Sequence, residues 1–309
     1  MEPQKPKYLL ILNPIAGDTD KSVITDQVDD WENAFDIQID LYRTTGNNDF
    51  EVLEKQINGN EKALIAAGGD GTITMVAQLA IKHKLPLAIL PAGSANGLAK
   101  ELGIPNVNFG LSLLAKNQLT LQLENIVSST PQAIDVVYIN DHLMLHLADF
   151  GVNAGLIRDF EAGDSRGFLG YAQHAIDQLK ALEPFEFTIQ TDEHLKTGKA
   201  IMLAFANAQR YGTGAVINPK GKLNDGHFEI VIVKDISLKN SITSLSSIIT
   251  GEAEYDQEEI EIISLQKAQI QLETKTPFQV DGEYIGELQA LQLQIKPNAL
   301  QIIAPYQEN

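Results

Sequence analysis

The 309 residues contain no cysteine, which excludes disulfides, thiolate metal sites and a cysteine nucleophile outright. Arginine is scarce: Arg43, Arg158, Arg166 and Arg210 are all there are. Arginine is the side chain best shaped for bidentate phosphate contact, and three of these lie mid-chain, but a scattered surface distribution explains them equally well. Positive charge is short as a whole, with 23 Lys and Arg against 41 Asp and Glu and a formal charge of −18. Such a chain repels nucleic acid, so no nucleic-acid partner is expected. Wholesale adhesion to an anionic bilayer is disfavoured on the same ground, while a local basic patch is permitted. Long apolar runs are missing too. None approaches the roughly 18 residues of a membrane-crossing helix, and Tyr8–Leu12 is too short for a signal peptide and has no small-residue cleavage site after it. A cytoplasmic protein is the expectation. The six histidines show no metal-ligand spacing, and neither a Walker lysine motif nor a nucleophile elbow is present.

What is present is an ordinary globular balance, 44% hydrophobic and 21% charged, in a chain long enough for two domains. Leu64–Thr74, LIAAGGDGTIT, organises the rest. Leu64–Ala67 is the short apolar run of a buried parallel strand. Gly68-Gly69-Asp70-Gly71 ends it, and Thr72 opens apolar positions at helical spacing. Strand, glycine turn and helix start aim bare N–H groups and a positive helix end at one spot, which suits phosphate. Asp70 supplies a carboxylate that could face Mg²⁺. An ordinary turn with Asp70 as N-cap of its own helix fits the local pattern as well.

Around this stretch, residues 7–124 alternate strand and helix signals. Strands are expected at Tyr8–Leu12, Ile37–Leu41, Leu64–Ala67 and Leu87–Leu90, with helical segments within 19–35, over Phe50–Ile57, after Thr72 and at Leu98–Leu102. Four strands each followed by a helix make an α/β sheet whose ligand site lies at the strand C-termini. Three of those loops carry glycine: 13–17, 68–71 and 93–97. From about residue 125 strand-like runs take over: Ala133–Ile139, Leu143–Leu147, Phe185–Ile189, Ala200–Ala206, Phe228–Val233, Ile260–Ile263, Ile270–Leu272 and Leu291–Ile295. Helical inserts are expected at Gly167–Leu182 and Leu238–Ile249, and the acidic run Glu252–Glu261 reads as a solvated connection. The expectation is a largely antiparallel second domain, a sandwich or barrel.

Within that second part, Asp225-Gly226 and Asp281-Gly282 are foremost hairpin signals. Asp281 and Glu283 also put two carboxylates beside a tight turn, where one could act as general base. Asp225 with nearby carbonyls would suit a hard cation. Asp135, read as opening a strand, and Asp149 are ionisable residues in apolar company that need a partner or a job.

Taken together, NPxxG at Asn13–Gly17, GGDGT at Gly68–Thr72, PAGSANxxA from Pro91, NAxxYGxG from Asn207, LNDGxF from Leu223 and DGE at Asp281–Glu283 resemble the diacylglycerol kinase and related lipid kinase family over nearly the whole length. GGDGT by itself is shared with NAD kinases; the order of motifs is more specific. The resemblance implies a Rossmann-like α/β nucleotide-binding domain over 1–125, completed by a returning strand at about 298–309, and a β-sandwich lipid-substrate domain over 126–297. It implies ATP and Mg²⁺ as cofactors and phosphoryl transfer to a lipid hydroxyl. ATP contacts would fall on Asn13, Pro14, Gly17, Thr44 or Thr45, Gly68, Gly69, Asp70, Gly71, Thr72, Ser94 and Asn96. A structural magnesium would fall on Asp225 with the carbonyls of Lys222 and His227. The proton acceptor would be Glu283, beside Asp281, with Asp135 as relay partner, and Arg210–Gly214 would border the lipid cleft. Partners implied are a lipid such as diacylglycerol and transient contact with the inner face of the membrane; a homodimer is compatible. The family's basic residue after NPxxG is here Asp18, with Lys21 the nearest cation, and the GSxN form also resembles sphingosine kinases. An NAD-kinase-like enzyme and a catalytically silent nucleotide-binding regulator remain open alternatives.

Overall fold

The computed structural model describes residues 5–18, 20–151, 184–210, 216–234 and 260–305. The expected helical inserts at 167–182 and 238–249, Arg158, Arg166, the segment Tyr211–Gly214 and the acidic run up to residue 259 lie outside them. Two compact units emerge: Met1–Ile134 with Asn298–Asn309, and Asp135–Pro297.

The first unit is built on a parallel sheet. Its strands are β1 (Lys7–Leu12), β2 (Gln38–Arg43), β3 (Ala63–Gly68) and β4 (Leu87–Pro91). They lie in the order β2-β1-β3-β4, and Ile302 and Ile303 of the last strand of the chain add a fifth position beside Leu87 and Ala88. Leu10 pairs with Leu41 on one side and Ile65 on the other. β3 and β4 are buried along their entire length, as continuous apolar runs covered on both faces must be. Strand order reverses between β1 and β3, so the loops that follow these two strands flank the switch point where open α/β sheets bind ligands.

Helices α1 (Ser22–Thr25), α2 (Val28–Phe35), α3 (Asp49–Gln56), α4 (Asp70–His83), α5 (Gly97–Glu101) and α6 (Ser112–Ser128) complete the unit. Trp31 of α2 and Leu119, Leu123 and Ile126 of α6 enter one core with Leu10, Ile65 and Leu90. Two departures from the sequence reading occur here. The helical signal within 19–35 is two short helices, α1 and α2, separated at Asp26–Gln27. The longest helix of the unit, α6, had no counterpart in that reading. Its leucines point several ways, with Leu119 and Leu123 buried but Leu113, Leu114 and Leu121 exposed, so no clean 3.6-residue stripe marks it.

The second unit is antiparallel. It comprises β5 (Gln132–Ile139), β6 (His142–Met144), β7 (Leu147–Gly151), β8 (Phe185–Gln190), β9 (Leu195–Ala200), β10 (Met202–Ala206), β11 (Phe228–Val233), β12 (Ile260–Leu265), β13 (Lys267–Val280) and β14 (Glu283–Ile303, in this unit to Pro297). The order β12-β11-β10-β7-β13-β14 forms the spine; β8 and β9 extend from β13, and β5 and β6 from β14. Period-2 alternation sends Phe187, Ile189, Ile270, Leu272, Leu291 and Leu293 into one core, where Phe150, Phe205 and Phe278 pack edge-on or tilted against each other. Two expected runs are split. Leu143–Leu147 breaks between β6 and β7, and Ala200–Ala206 breaks at Ile201 between β9 and β10. Asp135 sits inside β5 rather than at its start. Asp281-Gly282 is the expected hairpin, with φ of 50° and 86° joining β13 to β14, the positive-φ pair a type I′ turn requires. Asp225-Gly226 is not a hairpin: it belongs to the loop leading into β11.

Candidate active site

Three glycine loops meet at the C-terminal edge of the first unit's sheet, and side chains lock them together. Asn13, just past β1, donates its backbone N–H to the Ala67 carbonyl at 2.8 Å, and its Nδ2 donates to the Thr72 hydroxyl at 3.1 Å. Gly17 has φ +61°, and a Cβ there would stand 2.8 Å from the Ala92 carbonyl oxygen. A Cβ on Gly93 would fall 2.4 Å from the Gly69 Cα. Only glycine permits these approaches. Asn96, buried and at φ +56°, accepts from the Gly93 N–H at 3.0 Å and donates to the Gly93 carbonyl and to Asn106 Oδ1. Its side chain is committed to holding the turn.

Two helices start at this edge, and they are treated differently. Asp70 reaches across to α5, where its carboxylate accepts from the N–H groups of Asn96 at 3.0 Å and Gly97 at 2.8 Å. It therefore caps α5, not the helix it opens. Burial, opposed by these hydrogen bonds, pushes the Asp70 carboxyl above the ordinary carboxylate range. The start of α4 has no side-chain cap, so first-turn N–H groups there are left to a ligand. A Cβ on Gly71, in that first turn, would meet nothing within 4 Å. Ser94 is exposed on the neighbouring loop.

At the end of β2, Thr44 donates its N–H to the Leu12 carbonyl. Thr45 is held by Asp49, a buried carboxylate that the sequence reading overlooked. Asp49 accepts from the N–H groups of Thr45 and Gly46, the Thr45 hydroxyl and Tyr42 Oη. Burial would raise its carboxyl, but the hydrogen bonds from Thr45, Tyr42 and Gly46 outweigh that and hold it below the usual range. An acid opening a helix just after Thr-Thr-Gly-Asn-Asn is the signal that could have found it. Lys21 is buried, donates Nζ to the Ala16 carbonyl at 2.7 Å and stands 4.3 Å from the centre of the Phe109 ring. It thereby ties the 13–17 loop to the segment leading into α6.

In the second unit the acidic residues divide into committed and open ones. Asp281, left-handed at φ 50°, accepts from the N–H groups of Leu145, His146 and Leu147 at 2.8–3.0 Å. Leu145 and His146 form the break between β6 and β7 and Leu147 opens β7, so Asp281 fixes that bend. Asp135 is fully buried; its Oδ2 accepts from the Gly226 N–H at 2.6 Å. Asp149, also buried, accepts from Gln279 Nε2. Glu283, two residues after Asp281, is exposed, and among the described residues no hydrogen bond or ion pair engages its carboxylate. Asp225 is exposed, with Oδ1 accepting from the His227 N–H at 3.0 Å and its carbonyl bonded to His227 Nδ1. Lys222 is exposed at the head of the same loop. Arg210 is exposed and bridges to Val216.

The family model for the diacylglycerol kinase catalytic domain matches residues 7–139, and that for the YegS C-terminal NAD kinase beta sandwich-like domain matches residues 148–304. The chain belongs to the diacylglycerol kinase and YegS-like family of lipid kinases. It is 26% identical over 229 residues to the diacylglycerol kinase of Bacillus subtilis, covering 73% of this chain and 72% of that protein. It is 24% identical over 309 residues to a protein of Alcanivorax borkumensis named "Probable lipid kinase YegS-like", with 97% of each covered. A crystal structure of a diacylglycerol kinase from Bacillus anthracis shares the fold at a TM-score of 0.69 and 19% identity, with 96% of each chain covered. Among the described residues no helix is long and apolar enough to cross a membrane.

Proposed function

We propose that this lipid kinase transfers the γ-phosphoryl group of ATP, with Mg²⁺, to a hydroxyl of diacylglycerol or a closely related lipid. In this reading the first unit binds the nucleotide and the second serves the lipid acceptor. The observation that carries it is the uncapped start of α4, beside Gly71 with open space where a Cβ would be, framed by three interlocked glycine loops. Phosphoryl transfer asks the protein mainly for positioning and charge neutralisation. Backbone N–H groups of residues 69–72 would receive phosphate oxygens, while Asn13, Gly17, Thr44, Thr45, Ser94 and Asn96 shape and fix the surrounding loops. Pro14, exposed beside Asn13, would border the nucleotide.

Asp70 fits a nucleotide-bound Mg²⁺ because its carboxylate, held by backbone N–H groups, has about four acceptor sites and so keeps one for a cation. A second, structural Mg²⁺ would take oxygen ligands from the Asp225 carboxylate, exposed on its loop, and from the carbonyls of Lys222 and His227. When bound, the metal neutralises phosphate charge and leaves the phosphorus more open to attack. Glu283 takes the role of general base, accepting the proton of the attacking hydroxyl at its carboxylate. Asp281 and Asp135 act as positioning residues: the first holds the 145–147 bend, the second holds the Gly226 turn.

The decisive experiment incubates the purified chain with labelled ATP and a panel of lipids, with NAD as a parallel acceptor, and identifies products by mass spectrometry. Phosphatidic acid or a related lipid phosphate is expected. Phosphorylated NAD, or nucleotide binding without any phosphorylated product, would overturn the reading.

A further inference from the structure

The central residues of a two-residue hairpin have N–H groups that the strand ladder does not receive. In the turn before Glu283 both are received. The Asp281 N–H donates to the Leu147 carbonyl at 2.8 Å, and the Gly282 N–H donates to Oε1 of Gln279 at 2.8 Å. Gln279 is 1% exposed, and its Nε2 donates in turn to Oδ2 of Asp149, which is fully buried. A carboxylate accepts and does not donate, so Asp149 draws the NH₂ end of the amide to itself and leaves the oxygen end for Gly282. In the sheet Gln279 lies opposite Asp149, Asp149 opposite Ala204 and Ala204 opposite Val231. Ala204 and Val231 are buried and apolar, and Phe278 and Val280 on either side of Gln279 enter the core. An amide and a carboxyl side by side in that row cost desolvation that apolar residues would avoid, so packing alone does not account for the pair.

We propose that Gln279 is a positioning residue for Glu283, with Asp149 setting the direction of its amide. The proposal deepens the lipid-kinase reading and rests on it, since Glu283 is a proton acceptor only there. A general base works only within hydrogen-bond reach of the hydroxyl it deprotonates, and a misplacement of about 1 Å can cost about 100-fold in rate. Glu283 follows Gly282 directly and pairs with Val280. Holding the Gly282 N–H therefore fixes where the Glu283 backbone enters β14, while the exposed carboxylate stays open. Strand pairing does not do this by itself, because the β13–β14 register shifts between Phe278 and Gln279, right beside the turn. Side-chain anchors take over at that point: Gln279 holds Gly282 from within β13, and Asp281 holds the turn to the 145–147 bend.

The test is a double-mutant cycle on the full chain, with initial rates on ATP, Mg²⁺ and detergent-dispersed diacylglycerol measured beside thermal melts. Gln279→Met, close in size but without the acceptor or the donor, should lower kcat about tenfold or more and leave the KM for ATP unchanged. Combined with Glu283→Gln it should lose no more than Glu283→Gln alone, because misplacing a base matters only while the base is there. Asp149→Asn, which lets the amide turn either way, should lower kcat less than Gln279→Met, again only while Glu283 is present, and it carries the same test where Gln279→Met does not fold. Gln289→Met is the control: it strips hydrogen bonds to the Leu272 and Glu273 carbonyls from the same strand pair away from the turn, and should keep wild-type kcat. Wild-type kcat in Gln279→Met, a loss that multiplies with that of Glu283→Gln, or an equal loss in Gln289→Met overturns the proposal. Wild-type turnover in Glu283→Gln, or no lipid phosphate from the wild-type chain, is a different result: it overturns the kinase reading, and the proposal with it.

Discussion

The two units handle their polar groups in opposite ways. In the first, the polar side chains that frame the glycine loops are bound within the protein: Asn13 to Thr72, Asp70 to the start of α5, Asn96 to its own turn at Gly93. What stays open is backbone at the start of α4. In the second, Asp281, Asp135 and Asp149 are bound to the protein's own donors, and what stays open is a side chain, Glu283. A site that receives a triphosphate gains from a rigid ring of amides, since fixed dipoles need no reorganisation. A proton acceptor gains from an unengaged carboxylate. The lesson is that a conspicuous acid motif such as Asp-Gly-Glu holds two different kinds of residue two positions apart.

That contrast is sharpest at the motif itself. Glu283→Gln should lower turnover by about 10²–10⁴-fold with an unchanged melting temperature, because nothing in the fold leans on it. Asp281→Asn should instead lower stability by about 1–3 kcal/mol, through loss of a charged acceptor for three N–H groups, with activity falling as the bend loosens. Thermal melts beside initial rates separate the two; a Glu283 variant that unfolds easily, or an Asp281 variant as stable as wild type, would break the distinction. In the first unit, Asp70→Asn should lower turnover by roughly 100-fold or more, its amide oxygen keeping one of the two N–H bonds at the start of α5. Gly93→Ala should cost about 1–3 kcal/mol and weaken ATP binding, since its Cβ meets the Gly69 backbone.

A smaller effect concerns pH. The Asp49 carboxyl is lowered from 3.8 in the folded state, so its contribution to stability is present above that value and is lost as pH falls through the folded pKa. Asp49→Asn should therefore melt below wild type at pH 7, with the gap closing below about pH 3.8. Calorimetry at the two pH values checks this.

Much of the architecture could be read from residue order. β3 and β4 are continuous apolar runs, and the strand–glycine–helix junctions at 13–17, 68–71 and 93–97 announce a ligand edge. Breaks in the second unit were hidden because residues such as Leu145 and Ile201 are apolar whether they lie in a strand or between two, and hydropathy does not record a bend. α6 was hidden because its outer leucines blur the helical period. For the site, glycine spacing located the loops but not the division of labour. That Asp70 caps α5 and not α4 depends on a contact 26 and 27 residues away, and the role of Asp49 depends on which donors the Thr45 turn brings to it.

If nucleotide phosphates rest at the bare start of α4, Gly71→Ala weakens ATP binding without unfolding the protein. An added methyl there touches no protein atom within 4 Å and favours the helix by up to about 1 kcal/mol. Titration calorimetry with ATP and Mg²⁺, alongside a thermal melt, should show a protein at least as stable as wild type that binds ATP about tenfold or more weakly. Unchanged ATP affinity in that stable variant would contradict the account.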